Sequence, residues 1–270
     1  MILASQPEWA PRVSKDDPNA APGRLQAPAR PTLRQREASV RGRVDPKVRN
    51  RFQARRMSRF TVLLAGTIRP TPALRDEVAG TRVVAADRGM RHAAPLGLSP
   101  ELWIGDFDSA GADLQALHPD VPRETFPADK DKTDGELAIR TALARGATSL
   151  LLVGACGGPR TDHAFMHLVL AIGLAEEGVS IELFDGAERG VPLVEGRRTI
   201  VDAVPGAAFS ILRFSDVEGL SISGAKWPLE GVDLPFSSIL TQSNEATGPV
   251  EVTIERGRAV LIVQAEAGPD

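Results

Sequence analysis

The sequence predicts an α/β fold: a parallel-sheet N-terminal domain with helices on its faces, then an all-β sandwich or barrel. Three observations carry this. From Phe60 to about residue 184, short apolar runs of strand length alternate with helix-length segments, the pattern of a sheet covered by helices. From about residue 189 the runs shorten, often alternate polar with apolar, and are punctuated by Gly, Pro, Asp or Asn, which suits an antiparallel module. Before residue 58, seven prolines, many Arg and Ala and few large apolar residues show no sustained period. Such a stretch cannot bury enough surface to offset its ordering entropy. The expected division is a disordered basic extension 1–57, an α/β domain 58–188 and a β-sandwich domain 189–270.

Each element has its own signal. Phe60–Gly66 is the first convincing strand, Pro72–Ala79 a short helix, and Arg82–Ala86 a strand ending at Asp87. A helical piece over about 88–96 leads to the strand Glu101–Gly105, and Arg123–Phe126 reads as a short strand. Asp131 or Thr133 can cap the next helix, with Glu136 three residues after Thr133 as in a capping box, and Gly146 stops it. Ser149–Gly154 is a buried strand. After Asp162, which can cap, Phe165, Leu168, Val169 and Ile172 recur at helical spacing. Ser180–Phe184 closes the first part. Strands are then expected at Arg197–Val201, Ala208–Phe214, Gly219–Ser223, Ser237–Thr241, Gly248–Ile254 and Arg258–Val263. A short helix is expected at Arg43–Arg56.

Composition narrows the class. The apolar fraction of 42% is enough for a real core, and the single cysteine, Cys156, excludes an internal disulfide framework and a thiolate-rich zinc site. No apolar run approaches the roughly 18 residues of a membrane span, so we expect a soluble, cytoplasmic protein. The net charge of −3 hides a split. Residues 1–59 hold fourteen Lys/Arg against five Asp/Glu, a net +9, while the rest holds eighteen against thirty, a net −12. An acidic body argues against a nucleic-acid face. The extension reads as a basic tail, a leader, or untranslated sequence. Met57 stands just before the first strand, and we expect translation to begin there.

The chemistry gathers at strand ends. Trp103-Ile104-Gly105-Asp106-Phe107-Asp108-Ser109 runs from a strand into two aspartates. On an extended backbone, side chains two apart point the same way, so Asp106 and Asp108 can converge on a cation. Hard oxygen donors suit Mg²⁺ shared with phosphate oxygens; a polar turn with one capping Asp is the plain alternative. Asp131 and Asp134 can share one side of a helix start, where free N–H groups also bind phosphate. Gly157-Gly158-Pro159-Arg160-Thr161-Asp162-His163 offers glycines for close backbone approach and an arginine fork for phosphate. It is not a Walker A loop, since no Gly-Lys-Ser/Thr follows. His163 and His167 share a helix face and read as supports.

Together with Ala86-Asp87-Arg88-Gly89, Lys130-Asp131-Lys132-Thr133-Asp134, Gly224-Ala225-Lys226-Trp227-Pro228-Leu229 and Gln242-Ser243-Asn244-Glu245, these motifs make the chain, over about 60–265, resemble the thiamine pyrophosphokinase family. Two departures stand out: Arg88 where the family usually has glycine, and the extra Pro159. The resemblance implies transfer of pyrophosphate from ATP to thiamine, giving thiamine diphosphate and AMP. It assigns Asp106, Asp108 and Asp134 to Mg²⁺ and phosphate, with Arg160 stabilising phosphate charge. It places Asp87, Gly89, Asp131, Thr133, Gly157, Gly158 and Asp162 around the nucleotide, and Trp227, Ser243 and Asn244 at thiamine. It further implies a homodimer with thiamine at the interface. Alternatives are a pyrophosphokinase for another alcohol, such as a hydroxymethylpterin, and a non-catalytic thiamine or nucleotide binder.

Overall fold

The computed structural model describes residues 59–107, 111–126 and 132–267. The extension 1–57 with its expected helix, and Asp108, Ser109, Lys130 and Asp131, lie outside the described residues.

Six parallel strands form the first half: β1 (Arg59–Leu63), β2 (Arg82–Ala86), β3 (Leu102–Gly105), β4 (Arg123–Thr125), β5 (Ser149–Val153) and β6 (Ser180–Phe184). Their order is β6-β5-β1-β2-β3-β4. β1 lies between β2 and β5, with Thr61 opposite Val83 on one side and Leu151 on the other. Burial on both faces explains why β1, β2 and β5 read as continuous apolar runs. Phe60, Val62, Val84, Leu150 and Leu152 pack against one helix layer, α4 (Asp134–Ala144) and α5 (Thr161–Glu176). Leu63, Val83, Ala85, Leu151 and Val153 pack on the other side with Leu74, Met90 and Trp103.

The helices begin as their sequences dictate. α1 (Pro72–Val78) has Pro at its start and Thr71 as cap, whose hydroxyl accepts the Leu74 N–H at 3.2 Å. Thr133 caps α4 by accepting the Glu136 N–H at 3.2 Å. The helical piece after β2 is a 3₁₀ turn, Asp87–His92, running into α2 (Ala93–Leu96). A short α3 (Ala112–Leu117), not foreseen, follows β3. Two details of α5 differ from expectation. Its cap position is Arg160, with no side-chain cap, and Asp162 lies in the first turn. Its apolar stripe is split: Leu168 and Ile172 are buried, but Phe165 and Val169 are 54% and 37% exposed. The buried face is instead completed by Ala171, Leu174 and Ala175.

The change from parallel to antiparallel pairing comes at a hairpin. Asp185 Oδ1 accepts the N–H groups of Ala187 and Glu188 at 2.8 Å each, turning β6 back into the antiparallel β7 (Glu188–Leu193). From β7 the ladder continues through β13 (Ala259–Ala267), β9 (Ala207–Arg213), β12 (Asn244–Thr253), β10 (Val217–Ala225) and β11 (Leu229–Leu234), with β8 (Thr199–Val201) on β12. Inward residues such as Phe209, Ile211, Leu220, Ile222, Val250, Val252 and Leu261 form a second core. The expected strand at Ser237–Thr241 is a turn-rich loop instead. Its apolar Ile239 and Leu240 are 79% and 59% exposed, so the run that resembled a buried strand is a surface patch. β7 and β11 were not foreseen.

Candidate active site

A cavity of about 370 Å³ opens at the carboxyl ends of β1, β2 and β3, where open α/β sheets collect ligands. It is lined by Asp87, Asp106, Lys132, Thr133, Asp134 and His167, with Leu64, Ala65, Ala86, Gly135 and His163. Four expected site residues, Asp87, Asp106, Thr133 and Asp134, are thus brought together from β2, β3 and the start of α4. Sequence reasoning missed Ala65, Lys132 and Gly135 as lining residues, and took His163 and His167 for supports.

The backbone is bent to make this wall. Asp87 has φ +42° and Phe107 φ +63°, a region that costs L-residues energy and clusters at functional sites. Asp87 is pinned from below by Trp103, whose Nε1–H donates to its carbonyl at 2.8 Å. Gly105 packs closely beside it: a Cβ there would stand 3.3 Å from the Asp87 Cα, a tight contact. The extended backbone from which Asp106 and Asp108 were expected to align stops at Gly105, where β3 ends, and Phe107 is left-handed; Asp108 lies outside the described residues. The Phe107 ring turns back onto Trp103, edge to face at 5.1 Å.

Gly89 supports rather than lines the cavity. It is buried, and a Cβ there would lie 2.2 Å from the Leu63 carbonyl oxygen. Arg91 and His92 donate to the loop after β1, Arg91 Nη2 to Ala65 O at 2.6 Å and His92 Nε2 to Gly66 O at 2.8 Å. Gly157 and Gly158, at φ +74° and +81°, lie outside the lining. They pack on Thr67, with a Gly158 Cβ position 3.4 Å from Thr67 Oγ1. Arg160 is also outside it: Nε and Nη2 grip Asp162 at 2.9 and 2.7 Å. Both side chains are over 60% exposed. The guanidinium hydrogen bonds hold the Asp162 carboxyl far below the usual carboxylate range.

A second set of expected residues sits in the antiparallel half. Asn244 is buried, and its amide is committed to Trp227 backbone groups. Trp227 itself is 56% exposed, with Lys226 Nζ 5.1 Å from its ring centre and held by Glu245 at 2.8 Å. Ser243, exposed at φ +59°, donates its N–H to Ser210 Oγ at 2.9 Å.

A divalent metal fits the first site by donor chemistry. Asp87, Asp106 and Asp134 offer hard carboxylate oxygens around one cavity. No cluster of three or more His, Cys, Asp or Glu is close enough to form a dedicated cage among the described residues. Carboxylate oxygens of this kind suit a hard divalent ion that keeps part of its shell for water and phosphate.

A parallel sheet with carboxylates around a strand-end cavity is thus joined to an antiparallel module bearing an exposed tryptophan. Family comparison makes this specific. The thiamin pyrophosphokinase catalytic-domain model matches residues 79–183, and its vitamin B1 binding-domain model matches residues 198–261. The thiamine pyrophosphokinase of Bacillus subtilis (strain 168) is 27% identical over 165 residues, 60% of this chain and 77% of that protein. A crystal structure of the Bacillus subtilis enzyme superposes with a TM-score of 0.67 at 22% identity, covering 77% of this chain and 99% of that one. The Geobacillus thermodenitrificans thiamin pyrophosphokinase gives 0.64 at 27% identity, covering 78% and 98%. The chain belongs to the thiamin pyrophosphokinase family, a family of enzymes.

Proposed function

We propose that the protein transfers the pyrophosphoryl group of ATP to the hydroxyl of thiamine, releasing AMP and thiamine diphosphate, with Mg²⁺ as the divalent ion. The observation that carries this is the shared cavity of Asp87, Asp106, Thr133 and Asp134 at the strand ends. Pyrophosphoryl transfer asks the protein for position and charge stabilisation more than for a nucleophile. Asp106 and Asp134, with Asp108, would hold the metal, which when bound neutralises phosphate charge that the acidic body would otherwise repel. Thr133 and the first N–H groups of α4 present donors to phosphate oxygens. Lys132 adds positive charge on the same wall. Asp87, on its strained turn, orients the nucleotide side, with Asp131 beside Asp134. Arg160 reaches phosphate by exchanging Asp162 for the ligand, and Gly157 and Gly158 let that loop approach.

Thiamine is assigned to the β module, at Trp227, Ser243 and Asn244. An indole face suits its cationic or aromatic rings. Eight hydrogen-bonded steps of the ladder separate β10, which leads to Trp227, from β2 at the cavity. A homodimer in which one protomer's β module faces its partner's cavity closes that separation, and the exposed Trp227, Phe236, Ile239 and Leu240 give it apolar surface. The match over 198–261 favours thiamine over a hydroxymethylpterin. Among the described residues no helix is long and apolar enough to cross a membrane; with the single cysteine and the acidic body, the cytoplasm and no nucleic-acid partner remain our assignment. The test is to incubate the full chain with ATP, Mg²⁺ and thiamine. AMP and thiamine diphosphate in equal amounts, abolished in Asp106→Asn and by EDTA, support the reading. Folded protein that forms neither would overturn it.

A further inference from the structure

A partly buried imidazole on the cavity wall has no part in this scheme. His167 projects from the first half of α5, and its Nδ1 lies 2.7 Å from the Ala155 carbonyl oxygen. A carbonyl only accepts, so Nδ1 carries a proton, and in the neutral ring Nε2 keeps a lone pair. Burial, and after it the neighbouring His163, favours the neutral ring, against the opposing pull of the Ala155 bond. Nε2 faces the first turn of α4, where residue 135 is glycine. A Cβ on Gly135 would stand 3.2 Å from His167 Nε2 and 3.1 Å from Leu64 Cδ2. Glycine is a weak helix former, so its presence in this first turn calls for a local reason. A methyl at this position would crowd Nε2, and both residues line the cavity.

We propose that His167 Nε2 is a hydrogen-bond acceptor for a hydroxyl group of the bound ligand, and that Gly135 keeps this lone pair accessible. The proposal rests on the reading of the cavity as the nucleotide site. A neutral lone pair repels phosphate oxygens, and a hard cation takes the carboxylates first. It needs a donor. Near the phosphate end of the proposed ligands the donors are hydroxyls: those of the ribose, and the alcohol that is to be pyrophosphorylated.

Calorimetry on the full chain decides it, titrating Mg·ATP, 2′-deoxy-ATP, 3′-deoxy-ATP and thiamine into wild type, His167→Phe and Gly135→Ala, with steady-state kinetics alongside. If the ribose is the donor, both variants weaken Mg·ATP binding by about 3- to 10-fold, the scale of one neutral hydrogen bond. One deoxy-ATP then binds wild type equally weakly and loses nothing more in His167→Phe, which a merely structural effect would not produce. If the alcohol is the donor, Mg·ATP affinity holds while thiamine affinity or kcat/KM falls by a similar factor in both variants. The proposal is overturned if Gly135→Ala keeps every one of these constants within twofold of wild type, and that variant decides alone should His167→Phe fail to fold. A wild type that makes no AMP refutes the reaction, but the titrations still decide this contact.

Discussion

The side-chain amide of Asn244 holds both polar groups of the Trp227 backbone: the Trp227 N–H donates to Oδ1 at 3.2 Å, and Nδ2 donates to the Trp227 carbonyl at 2.8 Å. Oδ1 also accepts the Glu245 N–H at 2.8 Å. The amide is spent on setting the loop that carries the indole, so in the proposed site Asn244 would act on thiamine through Trp227. Asn244→Ala takes the partner from three backbone groups of this part-buried loop, at a cost of about 1–3 kcal/mol. Thermal denaturation should show a clear fall in Tm, and the thiamine KM should rise several-fold with the ATP KM unchanged.

Trp227 is the opposite case. It is 56% exposed, so Trp227→Ala should leave Tm within about 2 °C, as surface changes usually do. Loss of the aromatic face should raise the thiamine KM by about 5- to 30-fold, the equivalent of ~1–2 kcal/mol. Steady-state kinetics identical to wild type would remove Trp227 from the site.

Much of this was legible in the chain. The parallel half announced itself through Phe60–Leu63, Val83–Ala86 and Leu150–Val153, because burial on both faces leaves an unbroken apolar run. Asp87 and Asp106 were legible because they stand just after such runs, and Asp134 because it opens a capped helix. What was hidden depended on tertiary partners. Ser237–Thr241 has strand composition, but Arg213 takes it as a loop, donating to the Ser238 carbonyl and, at 3.3 Å, to Thr241 Oγ1. Arg160 looked free for phosphate until the fold paired it with Asp162. His167 lacked any local signal, since its role depends on Ala155 behind it and Gly135 in front.

Two glycines should respond oppositely to alanine. At Gly89 a Cβ would lie 2.2 Å from the Leu63 carbonyl oxygen, a backbone atom that cannot step aside without moving β1. Gly89→Ala should destabilise by about 1–3 kcal/mol and disturb Asp87 two residues away, lowering kcat. At Gly173, inside α5, nothing lies within 4 Å of the Cβ position. Gly173→Ala should stabilise by about 0.5–1 kcal/mol. Urea midpoints moving in opposite directions would confirm both.

Cys156 should be slow to alkylate. Burial first, then the carboxylates of Asp185 and Glu188, push its thiol up to about 11. Only the thiolate reacts, so at pH 8 the native protein holds roughly 100-fold less of the reactive form than an ordinary thiol of pKa near 9. Raising pH towards 11 should accelerate the native rate, and urea should abolish the difference. Rapid modification of folded protein at pH 8, followed by mass spectrometry, would contradict this placement.

Arg160 and Asp162 make a separable pair. The fork is bidentate, but both groups face solvent, and surface ion pairs contribute little to stability. Arg160→Ala and Asp162→Asn should therefore both melt close to wild type. Their kinetics should diverge. Arg160→Ala removes the cation proposed for phosphate and should lower kcat/KM for ATP by about 10- to 100-fold, the scale of losing a charged contact. Asp162→Asn releases the guanidinium from its carboxylate, so any effect on ATP binding should be small and in the direction of tighter binding at low salt. If Asp162→Asn instead matches the loss in Arg160→Ala, the ion pair is itself the working arrangement, and Arg160 serves to hold the loop at the start of α5 rather than to meet phosphate.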